Sequence, residues 1–205
     1  YANRLAVAIG HVGIATKAAW STGVPEEALA NAIRHSGASV VHLRLAAEPG
    51  VVHLVVRDER SGEVIGTYRI LSPEQAKAVG SYYSETEFDL IRLQHLRPRM
   101  VEIGRSCVHP DYRTGATIAL LWSGLAQYMT HRGYDYLIGC ASISMADGGH
   151  GAAALFDQLA EYMSPIEYRV FPRCPLPLSS LRNDQRMAVP PLIKGYLRAG
   201  ALICG

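Results

Sequence analysis

Several features that would mark a specialised class of protein are missing from the 205-residue sequence. No stretch approaches the roughly 18 apolar residues that a membrane-spanning helix needs, and no basic region followed by an apolar run and a cleavage site opens the chain. The formal net charge is only +2, from 20 basic and 18 acidic residues, so no large basic field exists to hold nucleic acid. We therefore expect a soluble, cytoplasmic protein without a nucleic-acid partner.

Cysteine is also scarce, and its spacing excludes two further classes. Cys107, Cys140, Cys174 and Cys204 lie far apart and form no C-x-x-C pair, which argues against a zinc site and against a compact disulfide framework. The eight histidines include no H-E-x-x-H pair, so a metal site of that kind is not expected either. A reducing compartment and a metal-free protein fit best.

What the sequence does contain is an alternation of strand-like and helix-like segments, without repeats or low-complexity linkers. The length and the 49% hydrophobic content predict a single domain over residues 1–205. The predicted strands are residues 4–9, 51–57, 63–71, 100–108, 134–142, 167–171 and 199–204, and the predicted helices are residues 25–34, 114–131, 151–163 and 191–198. This order predicts an α/β (α+β) fold in which helices flank one mixed sheet.

Two of these predictions rest on strong local signals. Residues 58–62, Asp-Glu-Arg-Ser-Gly, separate two β-rich runs and suit a hairpin turn. Within residues 114–131, apolar side chains recur at steps of three and four residues, which is typical of a helix with one face on the sheet. Gly133 is the expected end of this helix.

The junction between the strand at 100–108 and the following helix is the most informative segment. The first amides of a helix lack intrahelical partners and lie at the positive end of its dipole, so such a junction can hold a phosphate. The residues predicted to do so are Arg113, Thr114, Gly115, Ala116 and Thr117. An ordinary turn with Thr114 as the N-cap is the alternative.

Several segments together resemble the ornithine lipid N-acyltransferases, often described as hemolysin-like, of the GNAT acyltransferase superfamily. The matching segments are residues 66–69 (Gly-Thr-Tyr-Arg), 82–90, 102–115, 121–122 (Leu-Trp), 139–142 (Gly-Cys-Ala-Ser) and 190–198. They cover roughly residues 51–205, and the family is related to the acyl-homoserine lactone synthases. The resemblance implies a GNAT-like mixed central sheet.

The resemblance also implies where an acyl donor binds. The strand that starts at Met100 is expected to splay from its parallel neighbour at 134–142, with a pantetheine arm between them. Backbone groups at Cys107 and Val108 would pair with the pantetheine amides as an added strand does, and the phosphate would rest on the turn at 113–117. The expected donor is a phosphopantetheine thioester, carried by acyl carrier protein rather than by coenzyme A, with no tightly bound cofactor.

Four residues form the predicted catalytic set. Direct transfer to an amine needs a base and donors for the developing oxyanion. Glu102 is the candidate base; it begins a Glu-x-x-Arg pattern that also occurs, with an arginine resembling Arg69, in acyl-homoserine lactone synthases. Arg105 and Ser106 complete the set, Ser106 as a hydrogen-bond donor. On an extended strand Glu102 and Ser106 share a face and Arg105 points away, unless a bulge intervenes.

Other interpretations stay open for several of these side chains. Glu102 has an alternative role in an ion pair with Arg69 or Arg105 that only orders the sheet. The arginines at positions 92, 97, 99, 105 and 113 are expected to attract the acidic acyl carrier protein, or they form a solvated face. The aromatic residues Tyr82, Tyr83 and Phe88 line an acyl tunnel or pack its mouth.

The function implied by the resemblance is transfer of a 3-hydroxy fatty acyl group from acyl carrier protein to the amine of ornithine or another amino acid, in bacterial lipid biosynthesis. An acyl-homoserine lactone or N-acyl amino acid signal synthase is the first alternative. A non-catalytic acyl-carrier or lipid-binding module is the second, because residues 20–50 lack the Leu-Arg-Tyr-x-Val-Phe stretch usual in the family. Transient contact of residues 191–198 with the inner face of the membrane is a further hypothesis.

Overall fold

The computed structural model describes residues 4–7, 41–48, 51–113 and 115–205. Its strands are β1 (Arg4–Val7), β2 (Val41–Glu48), β3 (Val51–Asp58), β4 (Val64–Leu71), β5 (Phe88–Asp89), β6 (Met100–Val108), β7 (Tyr136–Ser142) and β8 (Phe171–Pro172). Its α-helices are α1 (Pro73–Val79), α2 (Ser84–Glu87), α3 (Ala116–Arg132), α4 (His150–Gln158), α5 (Leu178–Leu181) and α6 (Pro191–Arg198). Turns of 3-10 helix cover Ile91–Arg99, Pro110–Tyr112, Ala160–Tyr162 and Ile166–Tyr168.

Within the described residues the main sheet has six strands in the order β1-β7-β6-β4-β3-β2. Strands β6 and β7 run parallel, while the other neighbouring strands run antiparallel. Strands β5 and β8 form a separate two-stranded ladder. The predicted mixed sheet with flanking helices is thereby confirmed, while the helix predicted at residues 25–34 lies outside the described part of the chain.

The predicted hairpin is confirmed as β3 and β4. The Asp58 amide donates to the carbonyl of Glu63 over 2.9 Å, and the Gly62 amide donates back to the carbonyl of Asp58 over 2.8 Å. The Asp58 carboxylate also accepts from the Arg60 amide at 2.8 Å and from the Tyr112 hydroxyl at 2.5 Å. These bonds close the turn and tie it to the segment that precedes α3.

Helix α3 covers one face of the sheet, as its sequence pattern predicts. It packs on β3 and β4 with Leu121, Leu125 and Met129 buried. At its C-terminus Gly133 adopts φ 72°, and its amide bonds to the carbonyls of Met129 and Thr130. Because the left-handed region penalises residues with a Cβ, glycine is the natural end of this helix.

The opposite face of the sheet is covered by α1, α2 and the 3-10 segment Ile91–Arg99. The buried side chains of this layer include Ala76, Leu93 and also Tyr82, which precedes α2, and they pack with Met100 of β6. The Tyr82 hydroxyl donates to the Met100 carbonyl at 2.5 Å. Since Tyr82 is fully buried, it fixes this layer against the start of β6.

Three predicted elements near the C-terminus need correction. The predicted strand at 199–204 begins with a turn at residues 199–200, where Gly200 adopts φ 87°, and makes one bridge, between Ile203 and Met163. The predicted strand at 167–171 is a 3-10 turn followed by the two-residue β8, and the predicted helix at 151–163 ends at Gln158. Prolines at 165, 172, 175 and 177 cannot donate to a ladder, so the apolar residues at 167–171 do not form a longer strand.

Helix α1 was not predicted from the sequence, although the sequence contains a capping signal for it. Ser72 caps the helix: its hydroxyl accepts from the Gln75 amide at 3.3 Å, and the Gln75 side chain accepts from the Ser72 amide at 2.9 Å. Ser-Pro-Glu-Gln at residues 72–75 is thus a capping box with proline in the first helical position. None of the helices in the described part of the chain is long and apolar enough to cross a lipid bilayer.

A buried pair of tyrosines joins the sheet to α6 and gives a stability prediction. The hydroxyls of Tyr68 and Tyr196 hydrogen bond to each other in the core. Replacing either tyrosine by phenylalanine leaves the other hydroxyl buried without a partner, so each single variant should lose about 1–3 kcal/mol of unfolding free energy. The variant with both replacements should lose less than the two losses combined.

Urea unfolding of the wild type, the two single variants and the double variant measures the coupling between the two hydroxyls. Tyr196→Phe keeps the ring that stacks on Trp122, with centroids 5.5 Å apart, so the loss reports the hydroxyl alone. A double variant whose loss equals the sum of the two single losses would contradict the expected coupling.

Candidate active site

The centre of the sheet contains an incomplete pairing between its two parallel strands. On one side, β6 pairs with β4 as far as Val108. On the other side, β6 pairs with β7 only at Met100 with Tyr136, Val101 with Leu137 and Glu102 with Ile138. Both strands are described throughout, and no further pair joins them, so the edge of β6 from Ile103 to Val108 is left without a partner strand.

Gly139 lies at the point where this ladder ends. A Cβ on this residue would lie 2.8 Å from the backbone carbonyl oxygen of Ile103, closer than side chains tolerate. Glycine therefore allows the two backbones to approach each other directly beside Glu102. We call the region between Gly139 and the unpaired edge of β6 the fork.

A β-bulge interrupts β6 beside the fork. Arg69 of β4 lies opposite Gly104 and Thr67 lies opposite Cys107, with a register shift between them. Arg105 adopts φ 52°, in the left-handed region. The bulge overturns the simple alternation expected for Glu102, Arg105 and Ser106, because an extra residue re-aims the side chains beyond it.

Glu102 occupies a fully buried position at the base of the fork, with a relative exposure of 1%. One carboxylate oxygen accepts from the Ser84 amide at 2.6 Å and from the Ser84 hydroxyl. The other accepts from the Tyr83 amide at 2.8 Å. Burial raises the pKa of Glu102, and the hydrogen bonds from Ser84 and the charge of Arg69 oppose that rise.

Arg69 reaches Glu102 from the neighbouring strand. Its Nη2 lies 3.6 Å from the carboxylate, and its guanidinium lies over the Tyr83 ring at 5.6 Å from the centroid. A Cβ on Gly104 would lie 3.1 Å from the same Nη2, so the glycine makes room for the arginine. The Nε of Arg69 is buried and has no hydrogen-bond partner among the described residues.

Ser84 links Glu102 to β7 and was missed as a site residue. It is buried, and its hydroxyl oxygen lies 3.4 Å from the sulfur of Cys140. Tyr83 and Ser84 lie 19 and 18 residues before Glu102, and no periodic pattern connects the two segments. One indication of this contact was present in the sequence: Ser84 and Glu102 both lie in segments that resemble the family.

The predicted phosphate turn lies at the far end of β6. Gly115 adopts φ 88°, and α3 begins at Ala116. The buried Thr117 donates its hydroxyl to the Tyr112 carbonyl at 3.1 Å, while the Nε of the exposed Arg113 donates to the Val108 carbonyl at 3.1 Å. Thr114 lies outside the described residues, so its predicted role stays a prediction.

The structure thus brings some of the predicted residues together and separates others. The half-buried Arg69 forms an ion pair with the buried Glu102, which is the contact that the alternative role of Glu102 requires. Arg105 is exposed on the bulge, Ser106 is half-buried and Cys107 is exposed. Arg113 and Gly115 lie beyond the other end of β6, so the candidate base Glu102 and the predicted phosphate-binding residues are at opposite ends of the unpaired edge.

Residues 46–123 match the family model described as an acetyltransferase (GNAT) domain. These residues contain β3, β4 and β6, the bulge, Glu102, and the start of α3. Over these residues the chain is similar to GNAT acetyltransferase domains, and the mixed sheet with flanking helices agrees with the GNAT-like fold predicted from the sequence. No solved structure matches the chain significantly.

Among curated proteins the chain is similar to L-ornithine N(alpha)-acyltransferases. It is 35% identical over 168 residues to that of Brucella abortus (strain 2308), which spans 74% of this chain and 59% of the relative. It is 36% identical over 167 residues to that of Rhizobium meliloti (strain 1021), spanning 74% and 56%. For that of Rhodobacter capsulatus the identity is 36% over 172 residues, spanning 76% and 64%. The matched region is therefore about three fifths of these relatives' length.

Proposed function

We propose that the chain transfers a fatty acyl group from a phosphopantetheine thioester to the α-amine of ornithine or a similar amino acid. The observation that carries the proposal is the unpaired edge of β6, with Glu102 at one end and the N-terminus of α3 at the other. Six residue steps separate Glu102 from Val108, which is at most about 20 Å, because the bulge at Arg105 shortens the strand. An extended pantetheine arm has a comparable length, so its thioester would reach Glu102 while its phosphate reaches the turn.

The reaction exchanges one bond to the acyl carbon for another. The neutral amine attacks the thioester carbonyl, the amide C–N bond forms, and the C–S bond breaks. The amine loses a proton to a base, and the base returns this proton to the departing sulfur, so that the pantetheine leaves as a thiol. Backbone donors along β6 and the buried Nε of Arg69 are suited to binding oxygen atoms of the reacting groups.

We assign the proton acceptor to Glu102 acting through Ser84. Both carboxylate oxygens already accept protein hydrogen bonds, so a direct contact with the amine is disfavoured. The Ser84 hydroxyl donates to Glu102 and has lone pairs of its own. It can therefore accept the amine proton while it passes its own proton to the carboxylate, whose proton affinity burial increases.

This assignment predicts a shift in pH dependence for Ser84→Ala. A base must be deprotonated, so kcat/KM should rise with pH through a midpoint above the ordinary glutamate value of 4.5, because burial raises the pKa of Glu102. Removing the Ser84 hydroxyl removes a bond that lowers this pKa, so the midpoint should move to still higher pH and kcat should fall. A pH profile of kcat/KM measures both effects.

Thr86→Ala is the matched control for this experiment. Thr86 is on the same short helix, and its exposed hydroxyl donates to the Tyr83 carbonyl at 2.7 Å without touching Glu102. If the rise of kcat/KM with pH has the same midpoint in Ser84→Ala as in the wild type, Ser84 does not carry the proton.

We propose acyl carrier protein as the donor. Some of the arginines that could attract it are already paired with acidic residues of this chain. Arg97 forms a paired contact with Glu85 at 2.6 and 3.0 Å, and Arg99 pairs with Asp135 at 2.7 Å. Arg105, on the bulge of β6, and Arg113, after the end of the strand, are both exposed, and Arg113 belongs to the turn where the phosphate is expected. These two arginines are therefore our candidates for steering an acidic carrier.

The double variant Arg105→Glu, Arg113→Glu tests this donor. Because steering by charge changes encounter rates by about 10-fold or more, we expect KM for acyl carrier protein to rise by about that factor at low salt, with a smaller effect on kcat. Arg198→Glu, at the exposed end of α6, is the control. An unchanged KM would leave coenzyme A as the better donor candidate.

Product analysis tests the proposed function as a whole. The protein is incubated with 3-hydroxyacyl carrier protein and, separately, with ornithine, other amino acids and S-adenosylmethionine, and the products are identified by mass spectrometry. We expect an N-acyl amino acid and free carrier thiol. A lactone product would favour the signal synthase, and tight carrier binding without any product would favour the non-catalytic module.

We also propose a location for this activity. A carrier-bound thioester is a cytoplasmic donor, and an N-acylated amino acid is amphiphilic, so we place the protein in the cytoplasm with transient contact at the inner face of the membrane. Sedimentation with vesicles of anionic lipid is expected only when the acylated product is present. Permanent association in its absence would contradict a transient contact.

A further inference from the structure

A cavity of about 460 Å³ lies beyond the carboxyl end of β7. Its lining is mostly apolar and includes Phe88, Ile143, Ala152, Phe156 and Met163. The segment from residue 163 to residue 178 and the last two residues of the chain complete its wall. This space is separate from the unpaired edge of β6, and neither the catalytic set nor the phosphate turn contributes to its lining.

Two of the lining residues lie next, along the chain, to elements of the candidate active site. Phe88 directly follows α2, the helix that carries Ser84, and Ile143 directly follows β7, the strand that carries Cys140. Ser84 and Cys140 contact each other beside Glu102. The cavity therefore begins at the ends of the two elements that meet at the base of the fork.

The two charged residues in the lining are directed to backbone acceptors. The Nη1 of Arg92 donates to the Ile166 carbonyl at 2.8 Å, and its guanidinium lies over the Phe171 ring at 4.8 Å. The Nε of Arg169 donates to the Ser164 carbonyl at 2.7 Å. With these groups engaged, the space offers an occupant apolar contacts above all.

We propose that this cavity holds the hydrocarbon tail of the acyl donor and limits the length of the chain that is transferred. This role of the cavity rests on the proposed function, because it assigns the cavity to the hydrocarbon tail of the proposed acyl donor. If a methylene occupies about 30 Å³, as a water molecule does in the liquid, the cavity has room for on the order of fifteen carbons. That volume suits one long fatty chain.

The residues that set the length are Ala152 and Phe156, on successive turns of α4. Ala152 is buried, so a larger side chain at this position has to extend into the cavity. Phe156 is half-buried, and shortening its side chain enlarges the same space. One methylene in an apolar pocket changes selectivity by about 10- to 200-fold, so each variant should have a measurable effect.

The test compares kcat/KM for long-chain and short-chain acyl carrier protein donors. Ala152→Leu is expected to reduce the ratio of long-chain to short-chain activity at least about 10-fold, and Phe156→Ala is expected to shift it toward longer chains. Ala160→Leu, at an exposed position outside the lining, should leave the ratio unchanged. Thermal unfolding of each variant confirms that it is folded.

A binding assay separates this proposal from the proposed function. Displacement of the fluorescent fatty acid cis-parinaric acid by palmitic acid is measured with the wild type and with all three variants. Displacement in the wild type that is weakened in Ala152→Leu supports the cavity even if no transfer is observed, in which case only the proposed function fails. Normal transfer with an unchanged length ratio in both Ala152→Leu and Phe156→Ala, or no fatty-acid binding at all, overturns the proposal for the cavity.

Discussion

Replacing Glu102 by glutamine is expected to lower kcat/KM by about 10²- to 10⁴-fold, the range that a positioned general base contributes. Glutamine is nearly the same size as glutamate, but it cannot take a proton at neutral pH. The buried carboxylate is held by the amides of Tyr83 and Ser84 and by the Ser84 hydroxyl. The measurement is steady-state transfer to the amine at saturating and limiting donor.

The structural effect of Glu102→Gln has to be measured alongside its effect on activity. A glutamine has one acceptor oxygen where glutamate has two, so one of the three donors from Tyr83 and Ser84 loses its partner. Thermal unfolding and the exposed control Glu161→Gln separate a loss of fold from a loss of catalysis. A folded Glu102→Gln protein with normal turnover would limit Glu102 to ordering the sheet through Arg69.

Gly139→Ala is expected to have the second largest effect, because the added methyl group meets backbone. Its Cβ would lie 2.8 Å from the Ile103 carbonyl oxygen, and a strand cannot move as a flexible side chain can. Overpacking of this kind costs about 1–3 kcal/mol of stability. A shift of about 1 Å at the base of the fork is expected to lower activity by about 10²-fold.

Comparing KM and kcat for the acyl donor shows whether the fork is affected in Gly139→Ala. We expect both to worsen, because binding of the arm and alignment of the thioester depend on the same edge of β6. Ser142→Ala changes an exposed position on the same strand and should behave as the wild type. Unaltered donor kinetics in a folded Gly139→Ala protein would show that the arm does not pass this point.

The parts of the fold that local signals specify were predictable from the sequence. These parts are the β3–β4 hairpin, the strand β6 and the helix α3. In each of them the pattern of apolar residues ends at a turn or a glycine. The helix predicted at residues 191–198 is also confirmed, as α6. The segment after it, residues 199–204, was not predictable in the same way, because the bridge between Met163 and Ile203 depends on tertiary contacts that leave no periodic pattern.

The candidate site shows the same division. Glu102 and Arg69 were predicted from the family resemblance, and their strands bring them together through antiparallel pairing. The bulge at Arg105 was not predictable, because a non-glycine residue at φ 52° gives no signal in the sequence. The contact of Ser84 with Glu102 joins two segments through folding alone.

The arginines from 92 to 113 illustrate why proximity in sequence did not define a surface. Arg92 lies on Phe171, while Arg97 and Arg99 pair with acidic residues of this chain. Their spacing suggested one cluster, but the 3-10 segment Ile91–Arg99 and the strand β6 direct them to different neighbours. Arg105 and Arg113 are therefore the members of this group that we propose for steering the acyl carrier protein.

A crystal structure with an unreactive thioether analogue of a long-chain acyl-pantetheine phosphate tests most directly whether the donor binds in the fork. We expect the pantetheine amides to hydrogen bond along β6 between Ile103 and Val108. The phosphate should contact the turn at residues 113–117, and the sulfur should lie beside Glu102 and Ser84. An analogue bound elsewhere, with the edge of β6 still without a partner, would contradict the proposed donor site.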